Sequence, residues 1–365
     1  MGFRTGIVGL PNVGKSTLFN ALTRTAAAHA ANFPFCTIDP NVGEVPVPDP
    51  RLDGLASIAG SKRTVPARMT FVDIAGLVKG ASRGEGLGNR FLAHIREVDA
   101  VAHVVRCFDS GDVTHVEGRI DPVADAETVE TELMLADIAS AEKQLRNIVR
   151  KVRGGDGDAV RQERLLETAI LAFEQGKPAR SIEVSDEDAA SWSGLHFLTA
   201  KPVLYVCNVD ETDAGTGNAH SRAVEAMARS AGAEAVVISA GIEEEIAQLE
   251  HVDARAFLGE LGLEEPGLDR LIRAGYRLLD LRTFFTAGPN EARAWTIRAG
   301  TLAPRAAGVI HGDFERGFIR AETISFADYV ALGGEQACRE AGRMRVEGKA
   351  YEVRDGDVVH ILFNA

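Results

Sequence analysis

The sequence predicts an α/β fold on a mostly parallel sheet, with an inserted helical hairpin and a small C-terminal α+β module. Three observations carry this expectation. Apolar strand-like runs alternate with helical segments from residue 1 to about 126, and the alternation resumes at Val203–Cys207 and Ala235–Ile238. Helical periodicity fills the interval of about 127–200. From Thr283 onward, alternating residues return among turn signals.

Phe3–Val8 reads as a short buried strand whose weak point is Gly6. It runs into Gly9-Leu-Pro-Asn-Val-Gly14-Lys15-Ser16-Thr17, which fits the phosphate-binding pattern G-x-x-x-x-G-K-[ST]. The glycines let backbone N–H groups from Asn12, Val13, Gly14 and onward turn inward around phosphate oxygens. Lys15 reaches the terminal phosphates, and the Ser16 hydroxyl ligates magnesium. Ser16–Leu22 opens a helix, so a strand feeds a helix N-terminus through a glycine turn, a ready anion site. The bland alternative is a chance glycine-rich turn, and four further segments count against it.

Arg68–Asp73 and Ala100–Arg106 read as the next buried strands. Asp73-Ile-Ala-Gly76 ends the first of them, about 60 residues after the phosphate loop. A carboxylate there is expected to hold magnesium through water, leaving the Gly76 N–H for the terminal phosphate. Between the two motifs lies Asn32-Phe33-Pro34-Phe35-Cys36-Thr37-Ile-Asp-Pro-Asn41. Thr37 is the natural second hydroxyl ligand for magnesium, which makes the segment a candidate switch loop. A Pro-bounded loop that merely packs Phe33 and Phe35 is the other reading.

In the insertion, Leu133, Ala136, Ile138, Ala139, Leu145, Ile148, Val149 and Val152 follow helical spacing. Arg153-Gly-Gly-Asp-Gly-Asp158 breaks it, and Val160, Leu165, Leu166, Ala169, Ile170, Ala172 and Phe173 resume it. An antiparallel hairpin is expected, either coiled-coil-like or a packed pair of ordinary helices. Beyond Thr283, strands are expected at Ala294–Arg298, Tyr351–Val353 and Val358–Phe363, with helices near Ala303–Val309 and Phe326–Ala331. The expected division is a nucleotide-binding domain over 1–281, interrupted at about 127–200, and a second domain over 282–365.

The base-reading loop discriminates between nucleotides. Guanine-specific enzymes usually end a buried strand with Asn-Lys-x-Asp, whose Asp accepts from guanine N1–H and its amino group. Here the strand ends in Asn208-Val209-Asp210-Glu211. The covering Lys is Val209, and the guanine-reading position holds Glu211, one methylene longer. Asp210 falls one residue early and is expected to point elsewhere. A lost paired hydrogen bond costs several kcal/mol of discrimination, so adenine is no longer excluded. ATP is favoured, with GTP a weaker or parallel substrate. Ser239-Ala240-Gly241 matches the last base-contacting loop.

Leu77 follows Gly76 where a Gln often orients the attacking water, so intrinsic hydrolysis should be slow. His115 is a candidate stand-in, a solvated loop histidine being the alternative. Asn12 is placed to help hold a monovalent cation such as K+ beside the phosphates, where positive charge stabilises the transition state.

These blocks resemble the YchF/Obg-like ATPase family: Gly9–Thr17, Asn32–Asn41, Asp73–Ser82 and Gly84-Glu-Gly-Leu-Gly-Asn-Arg-Phe91. Thr283-Phe-Phe-Thr-Ala-Gly288, Ala307–Glu315 and Glu347–Asp357 are similar to that family's TGS domain, and the likeness spans essentially the whole chain. It implies a P-loop G domain that hydrolyses ATP and often GTP, with a coiled-coil insertion and a ubiquitin-like TGS domain. It also implies that Phe108 packs near the base, that Asn208 contacts it, and that Ser16 and Thr37 are the magnesium ligands. Association with ribosomes and stress responses is implied by the resemblance alone.

Composition excludes several classes. The formal charge of −13 argues against a broad nucleic-acid coat. No run of about 18 apolar residues is present, so no membrane span is expected. The N-terminus enters a strand directly, leaving no room for a signal peptide. Cys36, Cys107, Cys207 and Cys338 are scattered, which favours free thiols in a reducing cytoplasm. Lys143, Arg146, Arg150, Lys151 and Arg153 form a basic run at the hairpin tip, fit for rRNA phosphates or simply a solvated helical face. Residues 282–365 carry as many basic as acidic residues, so recognition of another protein by this module stays open. A ribosome-directed switch, a plain ATPase with a small-molecule task, a GTP-specific GTPase, and a binding module with negligible turnover all remain in play.

Overall fold

A computed structural model of the chain describes residues 3–30, 42–74, 87–109 and 120–364. The chain divides into two compact units, Met1–Glu44 with Thr70–Gly275, and Val45–Met69 with Tyr276–Ala365.

The described elements begin with β1 (Arg4–Val8), α1 (Lys15–Ala30), β2 (Val42–Pro46), α2 (Pro50–Ala59), β3 (Thr64–Val65) and β4 (Arg68–Asp73). Then come α3 (Leu87–Glu97), β5 (Ala100–Arg106), α4 (Pro122–Arg153), α5 (Gly157–Glu174), α6 (Asp186–Ser193), β6 (Val203–Asn208), α7 (Ala219–Ser230) and β7 (Glu234–Ile238). They continue with α8 (Ala240–Ile246), α9 (His251–Glu260), α10 (Gly267–Leu278), β8 (Leu281–Ala287), β9 (Ala292–Arg298), α11 (Ala303–Ile310) and α12 (Gly312–Arg316). The last are β10 (Phe318–Ser325), α13 (Phe326–Leu332), α14 (Glu335–Glu340), β11 (Arg345–Glu347) and β12 (Asp357–Phe363).

In the first unit the strand order is β2-β4-β1-β5-β6-β7 among the described residues. The pairs β1–β4, β1–β5, β5–β6 and β6–β7 are all parallel. Every residue of β5 and β6 is buried. Continuous apolar strands of this kind belong to a sheet covered on both faces. Because these strands run the same way, the loops that follow β1, β5, β6 and β7 emerge at one edge. Ligands of open parallel sheets bind at that edge.

The insertion is a helical hairpin. Asp121 caps α4 by accepting from Ala124 N at 3.1 Å, so the helix starts earlier than the expected 127. Asp156 caps α5, accepting from Asp158 N and Ala159 N at 3.1 Å each. Met134, Ala141, Leu165, Leu166, Ala169 and Phe173 close a core with Leu195 and Phe197. Val149 and Val160, expected on the same stripe, are 37% and 47% exposed. They flank the turn, beyond the buried cluster. At the other end Asp137 on α4, 1% exposed, accepts from Leu198 N at 2.8 Å and from Thr199 N at 2.9 Å.

The second unit is built on a mixed sheet of order β11-β10-β12-β8-β9-β3. Its core gathers Phe284, Ile297, Ala306, Ala307, Phe318, Ala321 and Val359. Helices stand at Ala303–Ile310 and Phe326–Leu332, where periodicity places them. Tyr351–Val353, expected as a strand, forms only the isolated bridge Leu302↔Glu352. The following turn takes priority: Arg354 N and the Tyr351 hydroxyl both donate to Asp357 Oδ2, at 2.9 and 2.7 Å.

This unit also recruits Val45–Met69, which a linear boundary at 281 does not anticipate. The two-residue β3 pairs in parallel with β9, and Ser61 Oγ donates to Gly288 O at 2.7 Å. Arg51 on α2 lies 5.2 Å from the Phe285 ring centroid and donates to Asp355 Oδ2 at 2.6 Å.

Candidate functional site

The phosphate loop is shaped by what surrounds it. Gly9 has φ +155°, and a Cβ there would lie 2.4 Å from the Val104 carbonyl oxygen of β5. Gly14 has φ +95°, and a Cβ there would lie 2.2 Å from Asn208 Nδ2. Both positions of the motif therefore require glycine on two grounds, backbone conformation and close approach. Asn12 also takes a positive φ of 64°, which Asn tolerates better than most residues.

Lys15 begins α1 and is only 8% exposed, its Nζ donating to Leu10 O at 2.7 Å. Burial lowers its pKa from 10.5 to about 8, and the Asp73 carboxylate opposes the shift. Asp73 ends β4, opposite Ile7 of β1. Burial raises its pKa, with Lys15 pulling the other way. A cation held at such a desolvation cost is positioned for a strongly negative ligand.

Asn208 ties the loops together. It ends β6 and is 5% exposed. Its Nδ2 donates to Val13 O, and its Oδ1 accepts from Ala240 N, both at 2.9 Å. One side chain thus fixes the phosphate loop against the Ser239-Ala240-Gly241 loop. Val209 N donates to Ile238 O at 2.9 Å, and a Cβ on Gly241 would lie 3.6 Å from Glu211 Oε1. The Glu211 carboxylate therefore sits beside the start of α8.

A cavity of about 510 Å³ opens between these loops. Asn12, Gly14, Lys15, Ser16, Thr17, Phe108, Asn208, Val209, Glu211, Ser239, Ala240 and Gly241 all line it. Val13 does not line it; its side chain is 1% exposed, and it contributes its carbonyl to Asn208. Asp210, expected to point away, lines the cavity and accepts from Asp109 N at 3.3 Å. Phe33, Pro34, Phe35, Cys36, Thr37, Gly76 and His115 lie outside the described residues.

Sequence reasoning passed over Arg106 and Asn218. Arg106, 2% exposed, lies under Phe108 with its guanidinium carbon 4.6 Å from the ring centroid. Asn218 caps α7 and also donates to Cys107 O at 2.7 Å. A charged residue ending a largely apolar strand was the available signal for Arg106. Asn218 carried only the local signal of a helix N-cap, which does not reveal its contact with Cys107.

The arrangement offers a phosphate cradle, a buried cation, hard oxygen donors and a cavity of nucleotide size. The chain is similar to known proteins along its whole length. Residues 4–151 match the family described as "50S ribosome-binding GTPase". Residues 281–364 match the YchF-GTPase C-terminal family, described as "Protein of unknown function (DUF933)". The "Ribosome-binding ATPase YchF" of Escherichia coli O157:H7 is 54% identical over 364 residues, covering 100% of both chains. The protein of the same name from Bacillus subtilis (strain 168) is 53% identical over 366 residues, again covering 100% of both. The solved structure of the Schizosaccharomyces pombe YchF GTPase matches with a TM-score of 0.90 at 39% identity, covering 99% of this chain and 98% of that one.

Proposed function

The chain belongs to the YchF family, and on that premise we propose that it is a magnesium-dependent purine nucleoside triphosphatase preferring ATP to GTP. Its nucleotide state acts as a switch at the ribosome, in translation or its regulation under stress. One observation carries the base preference. Val209 and Glu211 line the same cavity as Gly14–Thr17. A guanine reader would hold Lys and Asp at those two positions. The bacterial relatives are named ribosome-binding ATPases, which supports both the nucleotide and the ribosome.

Ser16 and Asp73 offer hard oxygen donors of the kind magnesium prefers, and Lys15 and Asp73 interact electrostatically. Ser16, Thr37 and Asp73 (through water) would hold the ion, which supplies charge neutralisation across the β- and γ-phosphates when bound. Lys15 binds the terminal phosphates, the Gly76 N–H stabilises the transferring group, and His115 orients water. Asn12, exposed at the rim, helps hold K+. The five basic residues of the hairpin tip, Lys143, Arg146, Arg150, Lys151 and Arg153, are exposed and serve rRNA phosphates. The hairpin acts as the family's coiled coil and the C-terminal domain, about 282–365, as a TGS domain. A cytoplasmic location follows from the ribosome. No helix among the described residues is long and apolar enough to cross a membrane.

The test is steady-state hydrolysis of ATP and GTP, each with and without ribosomes. ATP should turn over faster than GTP, and ribosomes should change the rate. Val209→Lys with Glu211→Asp should move the preference toward GTP. Equal use of both nucleotides before and after that change would sink the base-reading argument.

A further inference from the structure

We propose that Glu322, Glu335 and His360 in the second unit form a binding site for a divalent transition-metal ion of the zinc class. The ion would tie β10, α14 and β12 together through three residues well separated in the chain. The site shares no residue with the nucleotide cavity, so it stands whether or not a nucleotide binds.

The backbone brings the three residues together. Glu322 on β10 and His360 on β12 stand directly opposite in the antiparallel ladder, so their side chains leave the same face of the sheet. Glu335 opens α14. Each residue offers one ligand atom, two carboxylate oxygens and an imidazole nitrogen, and all three atoms lie within 4.8 Å of one another. Zinc bonds such donors at about 2.0–2.2 Å, so closing on an ion asks each side chain to move by about 1 Å. Two of the three ligands sit on paired strands, which lowers the ordering cost of binding.

The surroundings favour a cation, and this class of cation. Arg339 presents Nη2 to both carboxylates, 3.0 Å from Glu335 Oε1 and 3.4 Å from Glu322 Oε2, so the pair is already arranged around positive charge. That side chain is 53% exposed and can swing into water, where ion pairs of this kind are weak. Among the described residues no side-chain hydrogen bond or ion pair engages His360, which leaves its ring nitrogen able to bind. Magnesium prefers oxygen ligands alone, whereas an imidazole beside two carboxylates suits zinc and its neighbours. All three residues line a cavity of about 390 Å³ together with Ile324, Tyr329 and Met344. The cavity has room for a water as fourth ligand, and its apolar wall strengthens the attraction between ion and carboxylates.

The test titrates zinc, and cobalt as a spectroscopic probe, into the full chain with excess magnesium present to fill the nucleotide site. Wild type should bind one zinc saturably, and its cobalt spectrum should show nitrogen and oxygen ligands without a sulfur-to-metal band. His360→Gln and Glu322→Gln should each weaken zinc binding by at least about tenfold. Both should also abolish the rise in melting temperature that zinc gives wild type. Arg339→Met removes the competing cation and should tighten binding by about two- to fivefold. Glu340→Gln, at the far end of α14, should leave the affinity unchanged. Undiminished zinc affinity in His360→Gln, a sulfur band, or displacement by magnesium would overturn the site. So would an equal loss in Glu340→Gln, which would mean diffuse attraction to an acidic surface. Should His360→Gln fail to fold, Glu322→Gln decides by the same readings.

Discussion

At the scale of single residues, Lys15 shows how stability is exchanged for binding. Its pKa in the folded chain is about 8, against an ordinary 10.5. Between those two pH values the folded state binds fewer protons than the unfolded state, so stability rises with pH across that window. Below about pH 8 the full cost of burying the ammonium is felt, on the order of 3 kcal/mol. Lys15→Met should therefore be more stable than wild type at pH 7 without nucleotide, by about 1–3 kcal/mol. The advantage should shrink by pH 10. Urea unfolding of both proteins at the two pH values measures this, and a pH-independent difference would refute it. The motif residues were legible because a phosphate cradle permits few alternatives. Asp210 was not, because a one-residue offset from a familiar pattern says nothing about where a loop turns.

At the scale of elements, the apolar runs of β5 and β6 and the periodicity of α4 and α5 marked themselves, since continuous or helically spaced apolar residues have few other uses. The early start of α4 came from its cap: Asp121 followed by Pro122 opens the helix, and Pro122, Ala126 and Val129 are already buried ahead of the stripe read from Leu133 onward. The least legible elements are α2 and β3. A two-residue strand carries no period, and its partner β9 begins more than two hundred residues later. Their place within the second unit has a measurable consequence. Arg51 is anchored to Asp355 and Phe285, while Ala292 N donates to Arg63 O at 2.9 Å. A fragment of 276–365 should melt at a lower temperature than the same fragment with 45–69 joined by a flexible linker. Identical melting curves would mean that α2 and β3 add nothing to that unit.

At the scale of the whole molecule, the match to the Schizosaccharomyces pombe structure over 99% of the chain shows that sheet, hairpin and C-terminal unit belong to one inherited plan. Within that plan, chain direction does the assembling. Parallel strands deliver loops far apart in sequence to one edge, and Asn208 links two of them by a single amide. Sequence reasoning found most of those loops by motif. It could not foresee the bracing by Arg106 and Asn218, which exists only once β5, β6 and α7 are side by side. Calorimetric titration of magnesium-ATP into wild type and Lys15→Met probes the phosphate cradle most directly. Saturable one-site binding is expected in wild type, with at least a hundredfold loss in the variant. Undiminished binding by Lys15→Met, or none by wild type, would contradict the site described here.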